Sequence, residues 1–301
     1  MDKQQIIDKI VELKTKRDAI ILAHLYVPEE IQEIADFTGD SLELSRMAAQ
    51  TDAKTIVFCG VKFMAETAKI LSPEKKVLLP SLDAGCFLAD TINEHDVKRL
   101  KAENPAAVVV CYVNSSAAVK AQSDYCCTSS NAVDLIKNIP AQEIIFIPDG
   151  NLGKNIADQV PHKKFVFWSG YCNVHNTITV KDVETARTLH PTAEILAHPE
   201  CRPEVIAEVD FVGSTAQMLR RVKNSSRKDF VIGTEKGILF RLKNENPGKC
   251  FTLLSDRLYC PDMKKTGLRD VYDVLNEMKH ETMIDVQIQK KAEMALNRML
   301  A

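Results

Sequence analysis

Residues Ala23–Ser41 read AHLYVPEEIQEIADFTGDS, and residues Ala197–Thr215 read AHPECRPEVIAEVDFVGST. At an offset of 174, with no gap, Ala23 falls on Ala197, His24 on His198, Glu30 on Glu204, Asp36 on Asp210, Phe37 on Phe211, Gly39 on Gly213 and Ser41 on Thr215. A weaker copy lies between them at an offset of 88, where Tyr112 replaces His24, Asn114 faces Tyr26, Asp124 matches Asp36, Tyr125 matches Phe37 and Ser129 matches Ser41. Self-similarity at a fixed spacing implies repeated structural units. Copies 88 and then 86 residues apart are too far separated for a solenoid, so three small domains around a common centre are expected.

The elements around the repeat read the same way. Apolar positions at helical spacing run over residues 3–16, followed by an apolar strand at Ala19–Ala23, a helix over Glu29–Phe37 and a second helix from Ser41. Strands follow at Thr55–Cys59 and Val77–Leu79, with a helix over Phe63–Leu71 between them and another over Glu94–Glu103 after them. The second round has strands at Ala107–Tyr112, Ile144–Ile147 and Phe165–Trp168. The third has strands at Glu194–Ala197, Phe230–Ile232 and Phe251–Leu254, and helices over Leu268–Met278 and 286–300 close the chain. Apolar strands alternating with helices imply parallel sheets covered on both faces. The expected fold is α/β: three homologous three-layer α/β/α sandwiches in pseudo-threefold arrangement, spanning residues 17–104, 105–191 and 192–301. The helix at residues 1–16 is expected to pack near the C-terminal helices.

The composition is that of an ordinary globular chain, with 301 residues, 45% hydrophobic, 27% charged and a formal net charge of -2. That charge gives no support to nucleic-acid or anionic-membrane binding. No run of about 18 apolar residues is present, and the polar start MDKQQIIDK points to a cytoplasmic protein. Nine cysteines in such a chain are better read as including metal ligands than as a disulfide framework.

Three of the nine obey the repeat. Cys86 and Cys260 are 174 apart, Cys172 lies two residues from the matching position, and a threonine follows each of them: Thr91, Thr177 and Thr266. Loops that leave the carboxyl edge of parallel strands build sites, so three inward-facing units bring three thiols together. Three thiolates suit zinc with a fourth ligand, or a 4Fe–4S cluster with one iron left open. Cys59 and Cys111 read as strand core, while Cys126, Cys127, Cys201 and Cys250 have no repeat-related partner. Trp168 reads as packing, Phe63 as helix core, and Met64 equally as core or lid.

The polar residues follow the same symmetry. His24 and Tyr26, Tyr112 and Asn114, and His198 and Glu200 each stand two residues apart just past a first strand, so both members of a pair face one side. Ser41, Ser129 and Thr215 stand at helix starts, where a hydroxyl either caps the helix or, with free N–H groups, holds an anion. Glu200 follows an apolar strand and is the candidate general base, with Tyr26 or His198 for proton traffic. No glycine-rich nucleotide fingerprint or Walker sequence is present.

With AHLYVPEEIQEIADFTGDSLELSR, FCGVKFMAETAKIL, YVNSSAAVKAQSDYCCTSSNAV, PDGNLGKNIA, GYCNVH, AHPECRPEV, DFVGSTAQM, VIGTEKGILFRLK and CPDMKKT, the chain resembles the quinolinate synthase family, the iron–sulfur enzymes of bacterial NAD biosynthesis. The resemblance covers nearly the whole chain from about Ile20 to Thr266. It implies a 4Fe–4S cluster on Cys86, Cys172 and Cys260 with one iron open to substrate, and condensation of iminoaspartate with dihydroxyacetone phosphate to quinolinate, phosphate and two waters. It further implies that His24, Ser41, Ser129, His198 and Thr215 hold substrate oxygens, that Tyr26, Tyr112 and Asn114 orient the intermediate, and that Glu200 acts as acid and base. An L-aspartate oxidase or dehydrogenase is the implied functional partner. Leu25, Phe87-Leu88 and Asn173 depart from forms usual in the family, and Leu25 and Phe87 are expected to bear on access to the site. No Cys-x-x-Cys pair lies near the C-terminus, so a thiol–disulfide switch of that kind is not expected. The alternatives are another 4Fe–4S hydro-lyase acting on a small dicarboxylate, a non-enzymatic iron or redox sensor, and a structural zinc protein.

Overall fold

The computed structural model describes residues 1–300. Its strands form three four-stranded sheets, each parallel throughout. In the first, β1 (Ala19–His24), β2 (Phe37–Gly39), β3 (Thr55–Cys59) and β4 (Lys76–Leu78) lie in the order β2-β1-β3-β4. In the second, β5 (Val108–Tyr112), β6 (Tyr125–Cys127), β7 (Glu143–Ile147) and β8 (Lys164–Phe167) repeat that order, as do β9 (Glu194–Ala197), β10 (Phe211–Val212), β11 (Asp229–Gly233) and β12 (Cys250–Leu253) in the third. Every residue of β3 and β9 is buried, as strands covered by helices on both faces require. The fold is the expected α/β architecture of three α/β/α units.

One element of the first unit departs from the sequence reading, and its counterparts in the other two units are built the same way. The helix expected over Glu29–Phe37 stops at Ile34, and Phe37 opens β2 instead. Asp36 is the cause. Its backbone N–H donates to Ile21 O at 3.0 Å, and its Oδ2 accepts the Ile21 N–H at 2.7 Å. Asp124 holds Val109 and Asp210 holds Ile195 in the same two-way clasp, with side-chain bonds of 2.8 Å in both cases. Each carboxylate also meets a cation from the helix preceding the first strand: Lys14 at 2.5 Å, Lys101 at 3.1 Å and Arg187 at 2.7 Å. The clasp pulls the chain back onto the sheet and makes an edge strand of two or three residues, too short for an alternation to show in sequence.

The first helix docks on the carboxyl-terminal third of the chain. The Lys3–Arg17 helix packs on the Leu268–Glu277 helix, with Ile10 and Leu13 in one core with Val271, Val274 and Leu275. Arg17 donates to the Leu275 and Asn276 carbonyls at 3.3 and 3.0 Å, at the carboxyl end of that helix, where a cation is favoured. The apolar core of the first two sheets is continuous, while the third sheet buries separate clusters on its two faces. Leu25 is fully buried in the third unit's cluster with Leu196, Phe230 and Ile232, so its side chain reinforces the contact between units one and three.

Candidate active site

All three first strands run toward one point, and the loops past their ends face each other there. The backbone turns of the first and third units are alike. Tyr26 N donates to His24 Nδ1 at 3.2 Å, and Glu200 N donates to His198 Nδ1 at 3.3 Å. An Nδ1 that accepts leaves the proton of a neutral imidazole on Nε2, and His198 Nε2 lies 3.2 Å from Ser129 Oγ. Burial pushes both histidines down, His24 to about 4 and His198 to about 3, outweighing the attraction of Asp40 for the first and of Glu200 for the second. Both rings are neutral at physiological pH.

Glu200 is the opposite case. Burial favours its neutral form, but the neighbouring imidazoles of His198 and His175 and its hydrogen bonds from His175 and Tyr112 hold it well below the usual carboxylate range. Tyr112 Oη donates to its Oε1 at 2.6 Å, Asn114 Nδ2 approaches the same oxygen at 3.5 Å, and His175 Nδ1 lies 2.7 Å from its Oε2. Burial raises the phenols of Tyr26 and Tyr112 well above their ordinary range, so both remain donors.

Ser41 and Thr215 are the first residues of the Ser41–Gln50 and Thr215–Asn224 helices, and neither caps its helix. Asp40 does so in the first, accepting the Leu42 and Glu43 N–H groups at 3.0 Å each, and Ser214 in the second, accepting the Gln217 N–H at 3.2 Å. The hydroxyls of Ser41 and Thr215 are thereby left to line the cavity, and Ser129 joins them from the turn before the Ala132–Asn138 helix. Behind this wall the units are stitched together: Ser130 Oγ lies 2.6 Å from Asp40 Oδ2 and 2.7 Å from Ser214 Oγ.

Cys86, Cys172 and Cys260 line the same cavity. Each cysteine precedes a single 3-10 turn, at Ala89–Thr91, His175–Thr177 and Asp262–Lys264. Backbone N–H groups of those segments point at the sulfurs: Leu88 and Ala89 at Cys86, His175 at Cys172, and Asp262 and Met263 at Cys260. Burial pushes the Cys86 thiol up to about 12 and raises the other two as well, against those donors. Desolvated thiols with N–H donors aimed at them are poor free thiolates and good metal ligands, since a cation supplies the missing charge. No cysteine forms a disulfide; Cys59, Cys111, Cys126, Cys127 and Cys201 are buried away from the cavity, and Cys250 is exposed.

The structure also brings in residues that sequence reasoning passed over. His175 stacks on His198 with ring centroids 4.7 Å apart and lies 3.2 Å from Cys172 Sγ through Nδ1, the nitrogen that meets Glu200; the three ligand atoms of Cys172, His175 and Glu200 fall within 4.8 Å of one another. Three residues past Cys86 and Cys260 stand Ala89 and Met263, so a search for threefold pattern could not find this histidine. Asp149 and Glu235 were findable: each stands two residues past the third strand of its unit, 86 residues apart. Both are fully buried and accept the backbone N–H of a cysteine, Cys172 for Asp149 and Cys260, at 3.2 Å, for Glu235. Lys264 neutralises Glu235 at 2.9 Å and donates to the Tyr26 carbonyl. Phe63 and Met64 both line the cavity while remaining buried. Leu25 does not line it, and Phe87 does, 47% exposed with its ring 5.8 Å from that of Tyr171. Access is therefore bounded by Phe87 and not by Leu25. Trp168 is structural: its indole N–H donates to Thr91 O at 3.1 Å across the boundary between the first two units.

Comparison with known proteins gives the same answer along the whole chain. A family profile described as quinolinate synthetase A protein matches residues 8–301. The chain is similar to the quinolinate synthase of Alkaliphilus metalliredigens, 51% identical over 300 residues that cover 100% of this chain and 99% of that protein. It is similar to the quinolinate synthase of Caldicellulosiruptor saccharolyticus, at 52% identity over the same shares of both chains. It is likewise similar to that of Clostridioides difficile, at 48% identity over 97% of this chain and 96% of that one. With a buried constellation of acid, imidazole and thiol groups at its centre and this likeness from end to end, the chain is an enzyme that belongs to the quinolinate synthetase A protein family.

Proposed function

We propose that the chain is a quinolinate synthase of NAD biosynthesis. It condenses iminoaspartate with dihydroxyacetone phosphate to quinolinate, releasing phosphate and two waters, with a 4Fe–4S cluster on Cys86, Cys172 and Cys260. The observation that carries this reading is the convergence of those cysteines, one from each unit, on a cavity that also holds polar residues from all three first-strand loops. The donor set fits the cluster: three thiols with backbone donors aimed at their sulfurs, beside an Asn114 Oδ1 that is buried without a hydrogen-bond partner and so is free to accept from a substrate group. When bound, such a cluster supplies one iron with an open coordination position, a Lewis acid for a substrate hydroxyl.

The chain's own residues supply binding and proton transfer. Ionised Glu200 takes a proton from the substrate and returns it, with Tyr112 and His175 steadying its charge. Tyr26, protonated, donates, and the neutral rings of His24 and His198 offer Nε2–H to substrate oxygens. Ser41 and Thr215, with the N–H groups of the helix starts they occupy, hold carboxylate or phosphate. Ser129 and Asn114 complete the polar wall. Iminoaspartate is unstable in water, so an L-aspartate oxidase or dehydrogenase is the expected supplier and the cytoplasm the expected compartment. Among the described residues no helix is long and apolar enough to cross a membrane.

The test is an iron count and absorbance spectrum on anaerobically purified protein, then chromatographic detection of quinolinate after adding both substrates. About four irons per chain with quinolinate formed is the expected result, and Cys260→Ser should lose both. Four irons without quinolinate would reject the reaction and leave a hydro-lyase or a redox sensor. Zinc, or no metal in protein kept free of oxygen, would reject the cluster.

A further inference from the structure

We propose that Cys111 and Cys126, with buried Lys120 as counter-ion, form a second reactive site apart from the central cavity: a dithiol that hydrogen peroxide oxidises to a disulfide joining β5 to β6. The inference goes beyond the reaction proposed above and does not depend on it. Cys111 and Cys126 are partners in the register of those two strands, and both are fully buried. Neighbouring strands lie about 4.8 Å apart, and disulfides span Cα separations of about 4.4–6.8 Å, so the pair can be joined without a change of register. The two side chains leave the same face of the sheet, and their thiols are hydrogen-bonded to each other. Cys127 alternates to the other face, which leaves Cys126 as the partner of Cys111.

Lys120 sets this pair apart from ordinary strand core. It is fully buried at the end of the short Ala117–Lys120 helix, and its Nζ donates to the Ser115 carbonyl. Among the described residues it forms no ion pair with a carboxylate; Glu66, whose charge reaches it, accepts the Ala117 N–H at 2.9 Å instead. A buried ammonium needs a counter-charge. Burial lowers Lys120, and the charge of Cys111 is the largest influence opposing it. Burial acts to raise the Cys111 thiol in turn, but the bond from Cys126, the charge of Lys120 and the hydroxyls of Ser115 and Ser123 outweigh it and bring the thiol below its ordinary range. Burial and the bond to Cys111 raise Cys126. One sulfur is thus a thiolate and its neighbour a thiol, the arrangement of an attacking and a resolving cysteine. The Cys111 sulfur attacks one peroxide oxygen, the O–O bond breaks, and the departing hydroxide takes a proton from Lys120, giving a sulfenic acid, water and a neutral amine. The Cys126 sulfur then attacks that of Cys111, the S–O bond breaks, and the hydroxide leaves as water with the Cys126 proton. The dithiol has lost two electrons, and peroxide has been reduced to two waters. Lys120 Nζ stands over the Phe63 ring, 5.4 Å from its centroid, and Phe63 lines the central cavity, so a small oxidant approaches the pair from there.

The test treats the anaerobic holoenzyme with a slight molar excess of hydrogen peroxide, quenches it in acid, alkylates free thiols in denaturant with N-ethylmaleimide and maps the peptides by mass spectrometry. A peptide linked through Cys111 and Cys126 should appear and return to free thiols with dithiothreitol. Cys111 should be consumed at least about tenfold faster than Cys59, an equally buried strand cysteine whose thiol burial raises with nothing to oppose it. In Cys126→Ala, Cys111 should stop at the sulfenic acid and be trapped by dimedone, while in Cys127→Ala the linked peptide should persist. Lys120→Met should slow the loss of Cys111 about tenfold; should that variant not fold, wild type and the two alanine variants decide the point. No linked peptide, consumption of Cys111 at the rate of Cys59, a link that passes to Cys127, no dimedone adduct in Cys126→Ala, or an unchanged rate in folded Lys120→Met would each overturn the proposal. Quinolinate formation enters none of these readouts, so a failure of the proposed reaction leaves the dithiol to be judged by itself.

Discussion

Removing His24 and His198 together, as His24→Asn/His198→Asn, should flatten the acid side of the stability curve. Both rings are 4% exposed, and burial lowers them to about 4 and about 3. In the unfolded chain a histidine titrates near 6.5. The unfolded state therefore binds more protons than the folded state below about pH 6.5, and stability falls as pH drops from there toward the folded values. Between pH 7.5 and 5.5 each ring withholds about one proton's worth of titration, or about 1.4 kcal/mol, and the pair together nearly 3 kcal/mol. Glu200 adds nothing to this slope. Its folded value is depressed, so the stability it contributes is present above the unfolded carboxylate value and is lost only as pH falls further. Urea-unfolding free energies of wild type and the double variant, measured anaerobically at both pH values, read the effect, because groups away from the two rings cancel in the difference. Wild type should lose about 3 kcal/mol more than the variant on acidification. Equal losses would refute neutral, buried rings and with them the role of the two Nε2–H groups as donors at neutral pH.

Three further changes probe other links. Leu25→Ala should cost about 2–5 kcal/mol in unfolding free energy, because the side chain lies in the core of the third unit; unchanged stability would show that the units do not share that packing. Gly237→Ala puts a Cβ within 2.8 Å of the Leu25 carbonyl oxygen as well as against Tyr26. Backbone there has to move, so a loss of about 1–3 kcal/mol and lowered turnover are expected, and calorimetry with kinetic assay would reveal a harmless substitution. Glu200→Gln should retain its iron while quinolinate formation drops roughly 10²- to 10⁴-fold, and full activity would remove Glu200 from proton transfer.

Much of this site could be read before any coordinates. The pairs His24/Tyr26, Tyr112/Asn114 and His198/Glu200 stand out by offset alone, and the structure brings all six into one cavity with Cys86, Cys172 and Cys260. Helix starts were read well enough to select Ser41 and Thr215, but not to see that Asp40 and Ser214 take over the capping. The edge strands β2, β6 and β10 were missed because two or three residues carry no period. The clasp that creates them depends on aspartates whose matching was visible at Asp36, Asp124 and Asp210, although their purpose was not.

The sequence by itself determined the three-unit plan and the residues that obey it, because copies of one local fold carry equal offsets to equal places. Tertiary structure decided whatever occurs once. His175 and Thr234 break the repeat, and Thr234 meets Tyr26 across 208 positions of chain. Leu25 passes its own unit by and fills the core of another. Contacts of this kind depend on how whole sheets pack against one another, and neither periodicity nor spacing along the chain encodes where two distant side chains will meet.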